Sequence, residues 1–184
     1  MTHTQYTEFF RDIARRHKEI RHSETEAHFA RLILSADPFL PVTNQLDEFL
    51  DGVKSVLQTP ALLLASYTVQ YADNRSDNLE KTLMGRLIVL DSVAPKNHYD
   101  REEEVLTATE RIAEECLGFA EHYFCMHPEA GFLEWNGASS EKIASLTSRN
   151  FFGTALDFAI RLQGQQATEF NASQFDTTGL QWLS

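Results

Sequence analysis

The sequence predicts an α+β domain: a mostly antiparallel sheet of about four strands, a long helix packed on one face, and helices at the N-terminus. Three observations predict it. Apolar residues recur at three- and four-residue steps near the N-terminus and again over residues 101–126. The period changes to two over residues 61–72, 79–91 and 151–162. Capping and turn residues stand where one pattern gives way to the other.

Residues 4–22 read as a helix, because Tyr6, Phe9, Phe10, Ile13, His17 and Ile20 form one apolar stripe with charges opposite. Ser23-Glu24-Thr25-Glu26 has the form of a capping box and predicts a second helix through Phe29, Leu32 and Ile33. Asp37-Pro38-Phe39-Leu40-Pro41 interrupts it, since each proline pushes the preceding residue out of helical space. Thr43 or Asn44 caps a third helix that carries Leu46, Phe49, Leu50, Val53 and Leu57 and closes at Thr59-Pro60.

Residues 61–72 alternate as a half-buried strand, with Leu63, Tyr67, Val69 and Tyr71 on one face. The polar run Asp73 to Asn78 turns the chain into a second strand, residues 79–91, with Leu79, Leu83, Leu87 and Val89 on one face. Asp100-Arg101-Glu102-Glu103 opens the longest helix, whose buried stripe reads Val105, Ile112, Cys116, Phe119 and Tyr123. His127-Pro128 ends it. Residues 131–135 and 142–147 are short strand segments, and residues 151–162 form a strong strand with Phe152, Leu156, Phe158, Ile160 and Leu162 alternating. Residues 1–162 are thus read as one domain, with 1–45 a helical N-terminal elaboration and 163–184 a C-terminal arm.

The chain has 184 residues, enough for one sizeable core, and its 42% hydrophobic content with thirteen Phe is that of a folded protein. A net charge of −11 repels a phosphate backbone, so nucleic acid is not an expected partner. No segment has the roughly twenty uninterrupted apolar residues of a membrane span, and Met1 to Tyr6 lacks the layout of a signal peptide. The expected location is the cytosol. Cys116 and Cys125, nine residues apart on one helix, lie beyond disulfide reach and are read as reduced, buried apolar residues.

Seven His raise a metal reading, and Glu19-Ile20-Arg21-His22 has the Glu-x-x-His spacing of di-iron bundles. Such sites need a second pair, which the sequence lacks, and His17, His22 and His28 are spaced five and six apart, off any one helical face. His17 reads as a hydrogen-bonded boundary residue. Neither a Gly-x-Ser-x-Gly nucleophile turn nor a Gly-rich phosphate loop occurs. The expectation is a non-enzymatic protein that needs no cofactor.

Glu102, Glu103, Glu104, Glu110, Glu114, Glu115 and Glu121 make the long helix acidic on its outer side. Against that, Arg11, Arg15, Arg16, Lys18 and Arg21 place five of the sixteen basic residues in eleven positions. A solvated amphipathic face accounts for each, and complementary docking faces are the sharper alternative. Arg15 and Lys18 with Glu110 and Glu114 are the candidates for a contact between subunits, together with Asp73, Asn74 and Asp77 at the hairpin tip.

Thr59-Pro60-Ala61-Leu62-Leu63-Leu64, then Tyr71-Ala72-Asp73-Asn74, then Met84-Gly85-Arg86-Leu87-Ile88-Val89-Leu90, followed by the long helix and the 151–162 strand, resemble phage tail-terminator proteins. Asn150-Phe151-Phe152-Gly153-Thr154 is similar to the lead into their final strand. The resemblance spans about residues 40–165 and rests on element order, with the helical residues 1–45 as an addition. It implies a structural protein of a phage tail or contractile injection system. In that family copies form a ring that caps the tail tube, so the resemblance further implies a homo-oligomer, a hexamer, without a cofactor. Two other readings remain: a small-molecule-binding or enzymatic domain, from the seven His and many aromatics, and an acidic immunity or adaptor protein.

Overall fold

The structure, a computed structural model, describes residues 1–33, 42–53, 56–73, 79–93, 99–146 and 150–163. Helix α1 (His3–Arg16) starts at a capping box: the Thr2 hydroxyl accepts from the Gln5 amide, and the Gln5 side chain accepts from the Thr2 amide at 2.7 Å. Tyr6, Phe10, Ile13 and Ala14 form its buried face. It ends six residues before the predicted limit. His17 is extended, and its Nδ1 accepts from the Glu19 and Ile20 amides at 3.3 and 3.4 Å, so the side chain closes the turn that follows.

The predicted second helix is a strand, β1 (Ala27–Leu32). The Ser23 hydroxyl accepts from the Glu26 amide at 3.0 Å, as a capping box requires, but the Ser23 amide donates to the Glu26 carbonyl, also at 3.0 Å. Those two bonds close a tight turn and leave the chain extended. Pairing with a fully buried neighbour then outweighs the local helical signal. The N-terminal elaboration is therefore one helix and one strand up to Leu32, and the prolyl link 37–41 lies outside the described residues.

Helix α2 (Val42–Val53) carries the chain back to β2 (Leu57–Ala65), which runs parallel to β1 with Phe29 opposite Leu62 and Leu32 opposite Ala65. A parallel pair needs such a crossover. Thr59 and Pro60, predicted to close a helix, belong to β2. Strand β3 (Thr68–Asp73) follows after a break at Ser66–Tyr67, so the predicted single strand 61–72 is two. Strand β4 (Leu79–Ser92) pairs antiparallel with both, β2 at Ala61–Leu64 and β3 at Thr68–Asp73.

Helix α3 (Tyr99–Met126) leads through a 3-10 turn at Pro128–Ala130 into β5 (Phe132–Leu146) and β6 (Phe151–Gln163). The two predicted segments 131–135 and 142–147 are one long β5, made irregular by a register shift between Glu134 and Ser139. The sheet is six-stranded and mixed, in the order β1-β2-β4-β6-β5 with β3 on the β2 side of β4. That corrects the expectation of about four mostly antiparallel strands: β1 was hidden in a helical pattern, and its pairing with β2 is parallel.

Both faces of the sheet are packed. On one, Tyr6, Phe10 and Ile13 of α1 and Ile112, Cys116, Leu117 and Phe124 of α3 meet Leu62, Leu64, Leu83, Leu87, Val89, Phe158 and Ile160. On the other, Leu46 and Leu50 of α2 meet Leu32, Leu57, Ala61, Leu63, Ile88 and Leu90. Leu62 to Leu64 are buried on alternate faces, which explains why that stretch is an unbroken apolar run. Val105, Ile112 and Cys116 of the predicted α3 stripe are buried, but Phe119 is 42% exposed, and Ala113, Leu117, Ala120 and Phe124 complete the buried face. β4 passes close under α1 at Gly85, where a Cβ would stand 2.5 Å from Tyr6 Oη and 2.6 Å from the Phe158 ring.

Candidate functional site

The turn after α1 and the middle of α3 meet in a polar cluster. His17 Nε2 lies 2.9 Å from Glu115 Oε2, and since Nδ1 accepts the Glu19 and Ile20 amides, Nε2 carries the proton and donates. Arg111 donates through Nη2 to both Glu19 oxygens at 2.8 and 2.9 Å and through Nη1 to Glu115 at 2.9 and 3.1 Å. The hydrogen bond from His17, then those from Arg111, hold the Glu115 carboxyl below its usual range. Both ring nitrogens of His17 are engaged, so the ring acts as a base only by giving up a structural bond.

Two cavities flank this cluster. One, of about 360 Å³, has Ile13 and Phe119 as its apolar walls and Arg16, Lys18, Arg111 and Glu115 around its rim. The other, of about 410 Å³, lies on the opposite side of Glu19, against His28, Thr59, Asp91 and Thr109. His28 Nδ1 donates to the Pro60 carbonyl at 2.9 Å, which fixes the ring between β1 and β2. Burial, then the charge of Arg15, lowers the pKa of His22, whose Nδ1 accepts from the His28 amide at 3.3 Å. The Glu19-x-x-His22 pair is thereby split, with Glu19 on Arg111 and His22 on the backbone. Among the described residues no three His, Cys, Asp or Glu side chains converge as a metal site.

The candidate contact residues fall in three places. Arg15 is exposed on the last turn of α1 and Lys18 is exposed in the following turn. Among the described residues neither side chain makes an ion pair, and the same holds for Glu114, exposed on α3. Glu110 is committed within the chain: its carboxylate takes the Lys142 ammonium at 2.7 Å, and Lys142 also reaches Thr154 Oγ1 at 3.3 Å. Thr154 in turn shares a buried hydrogen bond of 3.2 Å with Thr109 of α3, so this group clamps α3 to the sheet. Asp73 ends β3 at the base of the hairpin, and Asn74 and Asp77 lie outside the described residues.

Cys116 is buried in α3 and its thiol is pushed up to about 12 by desolvation, next by the charge of Glu115. Cys125 is exposed, contrary to the expectation of two buried thiols, because it lies off the buried face of α3. Sequence reading missed Arg111 and Phe119 as parts of the cluster. The Arg111–Glu115 spacing of four is legible in a helix, whereas the Glu19 contact, 92 positions away, is not.

On the sheet, Arg86 donates to Asp157 through Nε at 2.6 Å and Nη2 at 2.7 Å across the β4–β6 pair. That pair, with Met84 37% exposed beside it, lies on the face that α2 covers at its far end. The outer edge of β3 has no strand partner among the described residues, and Val69 and Tyr71 on β3 are 36% and 55% exposed. Among the described residues no helix is long and apolar enough to cross a membrane. A comparison with protein-family models and with curated proteins gave no match for this chain.

Proposed function

We propose that this chain is a structural assembly protein that associates with copies of itself, forming a ring of the tail-terminator kind in a phage tail or contractile injection system. Its work is done by surface contact rather than by bond-making, and it operates in the cytoplasm. The observation that carries the reading is the β3–β4 hairpin. It is paired from Thr68–Met84 to Asp73–Leu79, yet its outer edge is unpaired among the described residues and it exposes Val69, Tyr71 and Met84. An open edge with apolar side chains is a template for another chain, which folded proteins otherwise cover or charge.

The charge distribution supports the same reading. Among the described residues Arg15 and Lys18 carry positive charge without an ion pair on a molecule of net charge −11, and Glu114 on α3 offers a carboxylate that is likewise without one. Unlike faces on one molecule favour head-to-tail contacts that close into rings. Native mass spectrometry and negative-stain imaging at high protein concentration test this. A closed ring of identical copies is the expected result, and a strict monomer at every concentration contradicts it.

A further inference from the structure

The cavity between α1 and α3 pairs an aromatic surface with a cationic rim. Phe119 is 42% exposed there, and Ile13, 2% exposed, closes the inner wall from the core side. Three cations (Arg16, Lys18, Arg111) and two carboxylates (Glu19, Glu115) line it, a net charge of +1 from three minus two. Arg16 is held by Asp12 at 2.6 Å and Arg111 by its two carboxylates, which leaves the Lys18 ammonium without an ion pair among the described residues. At about 360 Å³ the cavity is at the small end of the ~300–1,000 Å³ of binding pockets, the size for one aromatic anchor. A ligand that fits places a ring on Phe119 and a carboxylate at Lys18.

The same chain carries that chemistry. Residues 164–184 lie outside the described residues, contain no Lys or Arg, and include two aromatic–acidic neighbours, Glu169-Phe170 and Phe175-Asp176. Phe175 is twelve positions beyond Gln163, the last residue of β6, and twelve residues span at most roughly 40 Å at about 3.3–3.6 Å each. The cavity is lined by Lys18, which among the described residues has no ion pair and belongs to the subunit contact proposed above. We infer that this cavity receives Phe175 and Asp176 from a neighbouring copy of the chain, the ring against Phe119 and Ile13 and the carboxylate at Lys18. The inference rests on the self-assembly reading and names the segment that links one copy to the next.

The full-length chain with p-benzoylphenylalanine in place of Phe175 tests it. The protein is irradiated as a one-to-one mixture of isotopically heavy and light copies, and light scattering records assembly in the same samples. Heavy-to-light crosslinks from position 175 into residues 11–18 and 112–121 are expected. Assembly with crosslinks elsewhere, or only within one copy, overturns the inference and leaves self-assembly standing; loss of assembly in the unsubstituted chain overturns both. A charge swap gives a second readout. Lys18→Glu and Asp176→Lys each weaken assembly about two- to fivefold at low salt, and the double variant restores it. Failure of the double variant to restore assembly overturns the Lys18–Asp176 contact.

Discussion

Replacing Gly85 with Ala puts a methyl group where α1 and β6 leave no room for one. The added Cβ stands 2.5 Å from Tyr6 Oη and 2.6–2.7 Å from two ring carbons of Phe158, and Tyr6 and Phe158 are 0% and 2% exposed. Neither ring swings away freely. Tyr6 packs edge-on against Phe10 and Tyr67, and Phe158 packs against Phe10 at 5.1 Å. Overpacking costs about 1–3 kcal/mol, and displacing the Tyr6 hydroxyl from the Ala65 carbonyl adds about 1 kcal/mol. The loss of glycine's freedom in the unfolded chain returns about 0.4–1 kcal/mol. The net expectation is a destabilisation of about 1–3.5 kcal/mol, read as a lowered urea midpoint by far-UV circular dichroism. Tyr6→Phe removes the nearest clashing atom and recovers part of the loss in the double variant. A Gly85→Ala protein as stable as the parent refutes this account of how α1 seats on β4.

Other expectations follow from the same geometry. In the native protein one thiol, Cys125, reacts readily with a thiol reagent, while Cys116, buried and pushed up to about 12, reacts only after unfolding; two fast thiols contradict the position of α3. The Glu115 carboxyl is held low by His17 and Arg111, so its contribution is complete above the unfolded value of about 4.3 and is lost as pH falls through the lower folded value. Because the group is half exposed, that contribution is under about 1 kcal/mol. Glu115→Gln therefore flattens the acid limb of a stability–pH curve slightly, and an identical limb in both proteins refutes the pairing. Asp157→Ala leaves the part-buried Arg86 guanidinium without its two bonds and costs about 1–2 kcal/mol in urea unfolding, against no change for a pair that contributes nothing. Arg15→Glu weakens self-association at low ionic strength more than at high, because exposed charges are screened by salt; an assembly constant unchanged at low salt removes Arg15 from the contact.

Strong periodicity was legible where one face of an element is buried and the other wet. The long helix, β4 and β6 follow from their spacing almost to the residue, and Leu83, Leu87 and Val89 share the predicted face. β1 was not legible, because Phe29, Leu32 and Ile33 fit a helical step as well as a strand, and a turn built from Ser23 and Glu26 uses the same side-chain bond as a helix cap. What decides between them is pairing with β2, a contact at long sequence distance. The break at Ser66–Tyr67 is likewise invisible in the alternation, since β2 and β3 both lie along β4. At the candidate site, His17 as a hydrogen-bonded boundary residue was readable from its step in the apolar pattern of residues 4–22, although α1 itself ends at Arg16. The exposure of Phe119 was not, because it continues the step of Ile112 and Cys116, and only the packing of Leu117, Ala120 and Phe124 on the sheet leaves it at the cavity.

Sedimentation velocity of the full-length chain from micromolar to several hundred micromolar, at low and at physiological salt, measures self-association most directly. Surface-driven assembly predicts that the 21.0 kDa species gives way to one discrete multiple of that mass as concentration rises, with the shift favoured at low salt. A single 21.0 kDa boundary at every concentration and both salts contradicts it.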